Sequence, residues 1–315
     1  MQKKSPIHNG EQGYIVPVSS VSTDGYSSLQ DLLGSMSVHY SSFDDRPSRL
    51  FDGLQHIRLT IHLIHKEKDK NGFYATRYNK WYSEERDLLF SNLVYAERIS
   101  PSFNGSWGKV SDKIERCVYD KISVAPTACT RFANRGNGCF YYSRKVGYFM
   151  QVLQFKPRVV DGDGALRDPS EFKAVFTNSA AEATALASAF NSNLFYWYLT
   201  VFSDCRHVNK REIDAFPVGW INSGDSMAGV EKIATIGTAL MEDLGNNSED
   251  RQMTFKHDTL TVQCIIPKKS KPLIDEIDKV LAEHYSLTDE ELDTIINYDI
   301  KYRMGKDLQE EGSDE

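Results

Sequence analysis

The chain has 315 residues, of which 40% are apolar, 11% aromatic and 26% charged, a composition that excludes a peptide, a coiled coil and a disordered tail. Lys and Arg number 37 against 44 Asp and Glu, a formal net charge of -7, so overall charge cannot coat nucleic acid and any such contact must be local. The clearly basic stretch is 131–211, with eleven basic and six acidic side chains, whereas 275–315 carries four and fourteen and would repel phosphate.

The five cysteines (Cys117, Cys129, Cys139, Cys205, Cys264) form no C-x-x-C pair and have no histidine at zinc-finger spacing, so they read as cytosolic thiols and no metal is expected. The longest apolar stretch, Leu194–Phe202, is about half of the roughly 20 residues a spanning helix needs, and no apolar leader core follows Met1. The expected setting is cytoplasmic, without a membrane.

In chain order, Tyr14–Val18 reads as a strand and Ser28–Met36 as a helix, with Leu29, Leu32, Leu33 and Met36 on one stripe. Val38–Phe43 and Ile57–Ile64 are further strand candidates, parted by the proline-containing segment Asp44–Gly53. Helical spacing follows at Leu88, Leu89 and Leu93, then at Ile114, Val118 and Ile122. Thr127–Val160 reads as short strands with tight turns, and Asp161-Gly162-Asp163-Gly164 as another turn. Ser179–Phe190 is an Ala-rich helix that leads into a second, Leu194–Phe202. Pro272–Tyr285 is amphipathic, and Thr288 with Glu291 opens a last helix through a capping box, with Gly305 as its stop. The order strand, helix, strand, loop, strand belongs to an α/β sheet.

Among chemistry-bearing patterns, the chain has no G-x-S-x-G, H-E-x-x-H, P-loop or G-x-G-x-x-G after a strand, and no proline pair. Gly136-Asn137-Gly138 and Gly162-Asp163-Gly164 lack a strand-to-helix setting and read as plain turns. Cys205 with His207 invites a nucleophile reading, but residues two apart point away from each other on a helix and no orienting group is evident. Asp299-Ile300-Lys301 reads as a solvated pair rather than half of a nuclease site.

Two segments carry more. In Asp44–Phe51 (D-D-R-P-S-R-L-F), Arg46 and Arg49 flank a rigid proline beside Phe51, so the arginines could take phosphate oxygens and Phe51 could stack on a base. The blander reading pairs Asp44 or Asp45 with Arg46 or Arg49 and puts Phe51 in the core. In Ser203–Arg211, Arg206, His207, Asn209, Lys210 and Arg211 offer donors suited to phosphates or base edges, or simply make a solvated loop.

Three strings then occur in order over nearly the whole chain. They are G-Y-I-V-P-V-S (Gly13–Ser19) running on to F-D-D-R-P-S-R-L-F-D-G (Phe43–Gly53) and R-L-T-I (Arg58–Ile61); N-S-N-L-F-Y-W-Y (Asn191–Tyr198) with N-K-R-E-I-D-A-F-P (Asn209–Pro217); and L-T-D-E-E-L-D-T-I-I-N-Y-D-I-K-Y-R-M-G (Leu287–Gly305). Together they resemble the C-terminal part of the type IIG restriction-modification methylases, which are adenine-N6 DNA methyltransferases. The resemblance implies an α/β fold in which a partial Rossmann-like methyltransferase sheet, its C-terminal strands only, precedes an α+β target-recognition region and C-terminal helices. The corresponding expected boundaries are 1–80, 81–220 and 221–315.

The resemblance also implies what this chain lacks. The family's F-x-G-x-G-like loop for S-adenosylmethionine and its N-P-P-Y turn for the adenine lie ahead of the string at Gly13, and neither occurs in these 315 residues. The expectation is therefore a C-terminal fragment or split subunit that binds no cofactor alone, partners a missing N-terminal methyltransferase half, and contacts double-stranded DNA. The expected DNA contacts are Arg131, Arg135, Arg144, Lys145, Arg206, His207, Asn209, Lys210 and Arg211, with Arg46, Arg49 and Phe51 lining the base-flipping side. An apolar sheet edge near Tyr14–Val18 should then be open. The alternatives are a non-enzymatic DNA-specificity or partner-binding module and a degenerate gene remnant.

Overall fold

The alternating apolar residues between Glu11 and His65 take extended backbone in the computed structural model, which describes residues 11–34, 36–65, 72–99, 105–219, 226–255 and 258–305. β1 (Glu11–Pro17) runs through two short helices, α1 (Ser19–Ser22) and α2 (Ser27–Leu33), into β2 (Ser37–Phe43). β3 (Leu59–His65) returns after a loop and lies between β1 and β2, antiparallel to both, so β1 and β2 run parallel with one strand between them. β4 (Phe73–Asn79) joins β2 in parallel, and β5 (Ala96–Glu97) completes the order β1-β3-β2-β4-β5.

Successive side chains on a strand face opposite ways, so a sheet inside a fold needs cover on both faces. On one face Val38, Tyr40, Ile64 and Ala75 pack with Val18, Val21, Leu33 and Trp107. On the other, Phe43 and Leu59 pack with Leu50, Trp81 and Leu89. Each large apolar side chain taken from water contributes ~1.5–3 kcal/mol, so these clusters hold the sheet, with α1 and α2 contributing Val21 and Leu33 to the first. The spacing of Leu88, Leu89 and Leu93 does not yield an α-helix: Ser83–Leu88 is a 3-10 helix, and Leu88 is exposed while Leu89 is buried. Leu89 and Leu93 both reach the sheet from this segment, so tertiary packing overrides the local spacing.

Contacts group the chain into two units, one drawn from Met1–Arg116 with Thr200–Arg206 and the other from Cys117–Leu199 with His207–Glu315. α3 (Lys113–Ser123) spans the first boundary, with Val118 and Ile122 fully buried. In the second unit come β6 (Phe132–Ala133), β7 (Gly138–Ser143), β8 (Val152–Leu153), β9 (Val159–Val160) and β10 (Phe172–Thr177); all but β9 form an antiparallel sheet ordered β6-β10-β7-β8. A Cβ at Gly136 or Gly138 would collide with the Thr177 or Ser179 carbonyl, which is why glycine makes the β6–β7 turn.

α4 (Ala180–Asn191) is opened by Ser179, whose hydroxyl accepts from the Glu182 N–H at 3.2 Å, and α5 (Asn193–Phe202) follows almost at once. α6 (Lys210–Ala215) and α7 (Ser226–Asn246) come next, and a hairpin of β11 (Ser248–Thr254) and β12 (Thr259–Ile265) pairs with β9 as a third sheet. α8 (Lys271–Tyr285), α9 (Asp289–Ile296) and α10 (Ile300–Met304) end the described chain, with the Thr288–Glu291 capping box formed as its spacing predicts. α4 packs against both α7 and α8. Among the described residues the fold is thus mixed α/β: three sheets, one of them a mixed five-stranded sheet, and helices. Among the described residues no helix is long and apolar enough to cross a membrane.

Candidate nucleic-acid interface

The loop between β2 and β3 is fastened at both stems. Arg58, buried at the start of β3, stands 3.3 Å from Asp44 and 3.2 Å from Asp45 at the end of β2, and Lys80 Nζ lies 3.9 Å from Asp44. These are close ion pairs rather than aligned hydrogen bonds, since Arg58 Nε and Asp45 Oδ1 meet no hydrogen-bond geometry. Burial pushes the Asp44 carboxyl up despite the pull of Lys80 and Arg58. Burial also works against the Asp45 carboxylate, yet Arg58 and its other partners hold it below the usual range. Arg86 fixes the middle of the loop by donating to the carbonyls of Arg49 (3.1 Å) and Leu50 (2.7 Å).

So fastened, the loop turns Arg46 and Arg49 outward and leaves Phe51 42% exposed. Neither Arg46 nor Arg49 takes the aspartates away from Arg58, although Arg46 adds a lesser electrostatic pull on both, and Phe51 is not core. Arg206 belongs here too, because its guanidinium donates to the His56 carbonyl at 3.0 Å, within the same loop. The sequence sets Arg206 in one basic run with His207, Asn209, Lys210 and Arg211; its bond to His56, 150 positions away, has no signal in that run.

The second unit gathers a different set. Arg144 and Lys145 follow β7, His207 pairs with Lys145 as an isolated bridge, and the Val208 N–H donates to the Arg144 carbonyl at 2.8 Å. Arg144, Lys145, Asn209 and Lys210 are exposed at this junction and His207 is half-buried. Lys210 is bound to Asp214 (2.5 and 2.7 Å) and sits 5.6 Å from the Phe132 ring centre. The Asn209 N–H donates to the Glu212 carboxylate at 2.8 Å, which starts α6. Arg211 is turned to the buried Glu212 at 2.6 Å, and Arg131 lies 3.9 Å from Glu182, so both are partly neutralised within the fold. Arg135 is exposed on the β6–β7 turn.

The Cys205–His207 nucleophile reading gains nothing from the structure. Cys205 is buried, its Sγ donates to the Thr200 carbonyl at 3.4 Å, and burial pushes its thiol up, away from the reactive thiolate. Asp299 occupies the N-cap position of α10 without a side-chain cap bond and is buried, so Asp299 and Lys301 are neither on a sheet nor the solvated pair expected. All five cysteines are free thiols, and among the described residues no cluster of three or more His, Cys, Asp or Glu could hold a metal ion. No family model and no curated protein sequence matches this chain.

Proposed function

We propose that this chain is the DNA-recognition portion of an adenine-N6 DNA methyltransferase of the type IIG restriction-modification kind, acting with a catalytic half that holds S-adenosylmethionine. The observation that carries the reading is the fastened loop, which offers two arginines and a solvent-facing phenyl ring on rigid stems, the combination needed to grip a strand and stack on a base drawn from the helix. The mixed sheet supports it, because β3 stands between two strands that run parallel to each other. Among the described residues β1 has no neighbour on its other side, and Tyr14 and Ile15 there are 49% and 52% exposed. Such an edge suits strands supplied by the catalytic half.

Among the described residues the two Gly-x-Gly turns do not fit S-adenosylmethionine. Gly136 and Gly138 are consumed in a strand-to-strand turn against Thr177 and Ser179, and Gly162 and Gly164 lie in the turn tied to the Asp161 carboxylate. Neither pair joins a strand to a helix, so no step of methyl transfer is assigned to this chain. Its work is to hold DNA: Arg144, Lys145, His207 and Lys210 on phosphates or base edges, and Arg46, Arg49 and Phe51 at the displaced nucleotide.

Selection from a pool of random-sequence duplexes tests the reading. The purified chain is expected to enrich one adenine-containing motif. A pool that emerges unenriched at 0.1 M salt overturns it.

A further inference from the structure

A cavity of about 500 Å³ opens beside the fastened loop, lined by Pro47 to Asp52 on one side and by Trp81, Ser83 and Arg86 on the other. Its size lies within the ~300–1,000 Å³ typical of small-ligand sites, but its lining is mainly polar. Two guanidinium groups border it. Among the described residues Arg49 has no carboxylate partner, and Arg86 spends only two of its five N–H donors on loop carbonyls. The Ser48 and Ser83 hydroxyls meet at 3.1 Å across the cavity's two sides, leaving donor and acceptor capacity to spare. Its walls also include Trp81, whose indole N–H has no hydrogen-bond partner.

Two arginines and two hydroxyls line the cavity against one carboxylate, Asp52, a balance that suits a tetrahedral, doubly accepting anion better than an apolar ligand. Phe51 borders the same space with an exposed ring, so an aromatic base can accompany that anion. We infer that this cavity is a receptor for one phosphodiester group of a DNA strand, clamped by Arg49 and Arg86 and steadied by Ser48 and Ser83, at a nucleotide that has left the base stack. The inference rests on the DNA-binding reading above and adds Arg86, Ser48 and Ser83, which are positioned by the 3-10 helix and the loop rather than by any basic run.

The clamp separates two kinds of duplex. A stacked duplex is met by the exposed cations of the second unit, whereas a nucleotide that can swing out is needed to fill the cavity. The probes are two fluorescein-labelled 14-base-pair duplexes, one fully paired and one with an adenine opposite an abasic site, titrated by anisotropy against the full chain at several salt concentrations. Arg49→Ala and Arg86→Gln should each weaken binding of the abasic duplex about five- to twenty-fold and lower its salt slope by about one, while binding of the paired duplex stays within about two-fold. Arg49→Lys should recover part of the loss through its charge. Lys145→Ala should weaken both duplexes alike.

Arg49→Ala keeps the carbonyl that Arg86 grips, so it guards against loosening of the loop in the Arg86 variant. If both clamp variants bind the abasic duplex as tightly as the wild type while Lys145→Ala loses both, the cavity assignment and Arg49's place at the displaced nucleotide are wrong, and DNA contact by the second unit's cations stands. If 2′-deoxyadenosine 5′-monophosphate displaces the abasic duplex at micromolar concentration, the cavity serves a free nucleotide and the phosphodiester assignment falls. If the wild type binds neither duplex, the DNA reading itself falls.

Discussion

Asp278 on α8 is fully buried and accepts three hydrogen bonds at the start of α5, from the Asn193 N–H (2.9 Å), the Leu194 N–H (2.9 Å) and the Asn193 side-chain amide (2.7 Å). An amide in its place has one acceptor oxygen for three donors, so Asp278→Asn should cost about 1–3 kcal/mol at pH 7, read from urea unfolding. Burial pushes the Asp278 carboxyl up to about 6 despite those bonds. A folded value above the unfolded one means that stability is present at low pH and is lost as pH rises through about 6. His62 on β3 behaves oppositely: burial pushes its imidazole down to about 4, with Nε2 3.1 Å from the Ser20 hydroxyl. Its contribution is present above about 6.5, the unfolded value, and is lost as pH falls toward 4. Stability measured against pH should therefore rise from pH 4 to 6.5 less steeply in His62→Gln than in the wild type, and more steeply in Asp278→Asn; parallel curves for all three would contradict both assignments. The exposure of Arg46, Arg49 and Phe51 is legible in the sequence, because proline and the charge pattern mark a stiff, exposed loop. The role of Arg86 is not, since it depends on carbonyls 36 and 37 positions away.

The Asp44–Asp45–Arg58 clamp joins β2 to β3, and the side chains of all three residues are nearly buried. Removing one member of a buried ion pair strands the other, at about 3–5 kcal/mol. Arg58→Met should lose about that much in unfolding free energy, and adding Asp44→Asn should return part of it; equal stability of Arg58→Met and the wild type would mean that the clamp holds nothing. Packing of α4 on α7 depends on Gly237, where a Cβ would collide with the Ser188 hydroxyl and crowd Thr184. Gly237→Ala should destabilise by about 1–3 kcal/mol, beyond the roughly 1 kcal/mol gained from helix propensity, and Ser188→Ala should relieve most of the loss in a double-mutant cycle. The same contrast explains which elements the sequence revealed. β1, β2, β3, α4, α5, α8 and α9 carry clear period-2 or period-3.6 patterns, a dense apolar run or a capping box. β4 reads F-Y-A-T-R-Y-N with no clean alternation, β11 is exposed along nearly all its length, and α7 holds glycines and threonines that give little local signal. Those elements form because partners elsewhere in the chain complete them: β2 for β4, β12 for β11, and α4 with α8 for α7.

For the molecule as a whole, long-range charge and the open sheet edge act in opposite directions. A net charge of -7 keeps copies apart at low salt, and screening shortens that repulsion to about 10 Å at 0.1 M. The edge strand β1 acts at contact distance, with exposed Tyr14 and Ile15 beside a groove that Val16, Leu29, Leu32 and Met36 help to line. Once salt screens the charges, backbone pairing and apolar burial at that edge win, so association should increase with ionic strength. The proposed DNA binding by the exposed cations should do the reverse. Ile15→Lys places a charge on the edge, the device by which natural sheets resist pairing, and should leave the chain monomeric at 0.5 M salt in sedimentation velocity while its DNA affinity at 0.1 M is unchanged. A wild type that remains monomeric at 0.5 M salt and tens of micromolar protein would show the edge to be inert, and would remove the support it gives to a catalytic half docking there. An Ile15→Lys variant that associates as the wild type does would instead place the association on another surface.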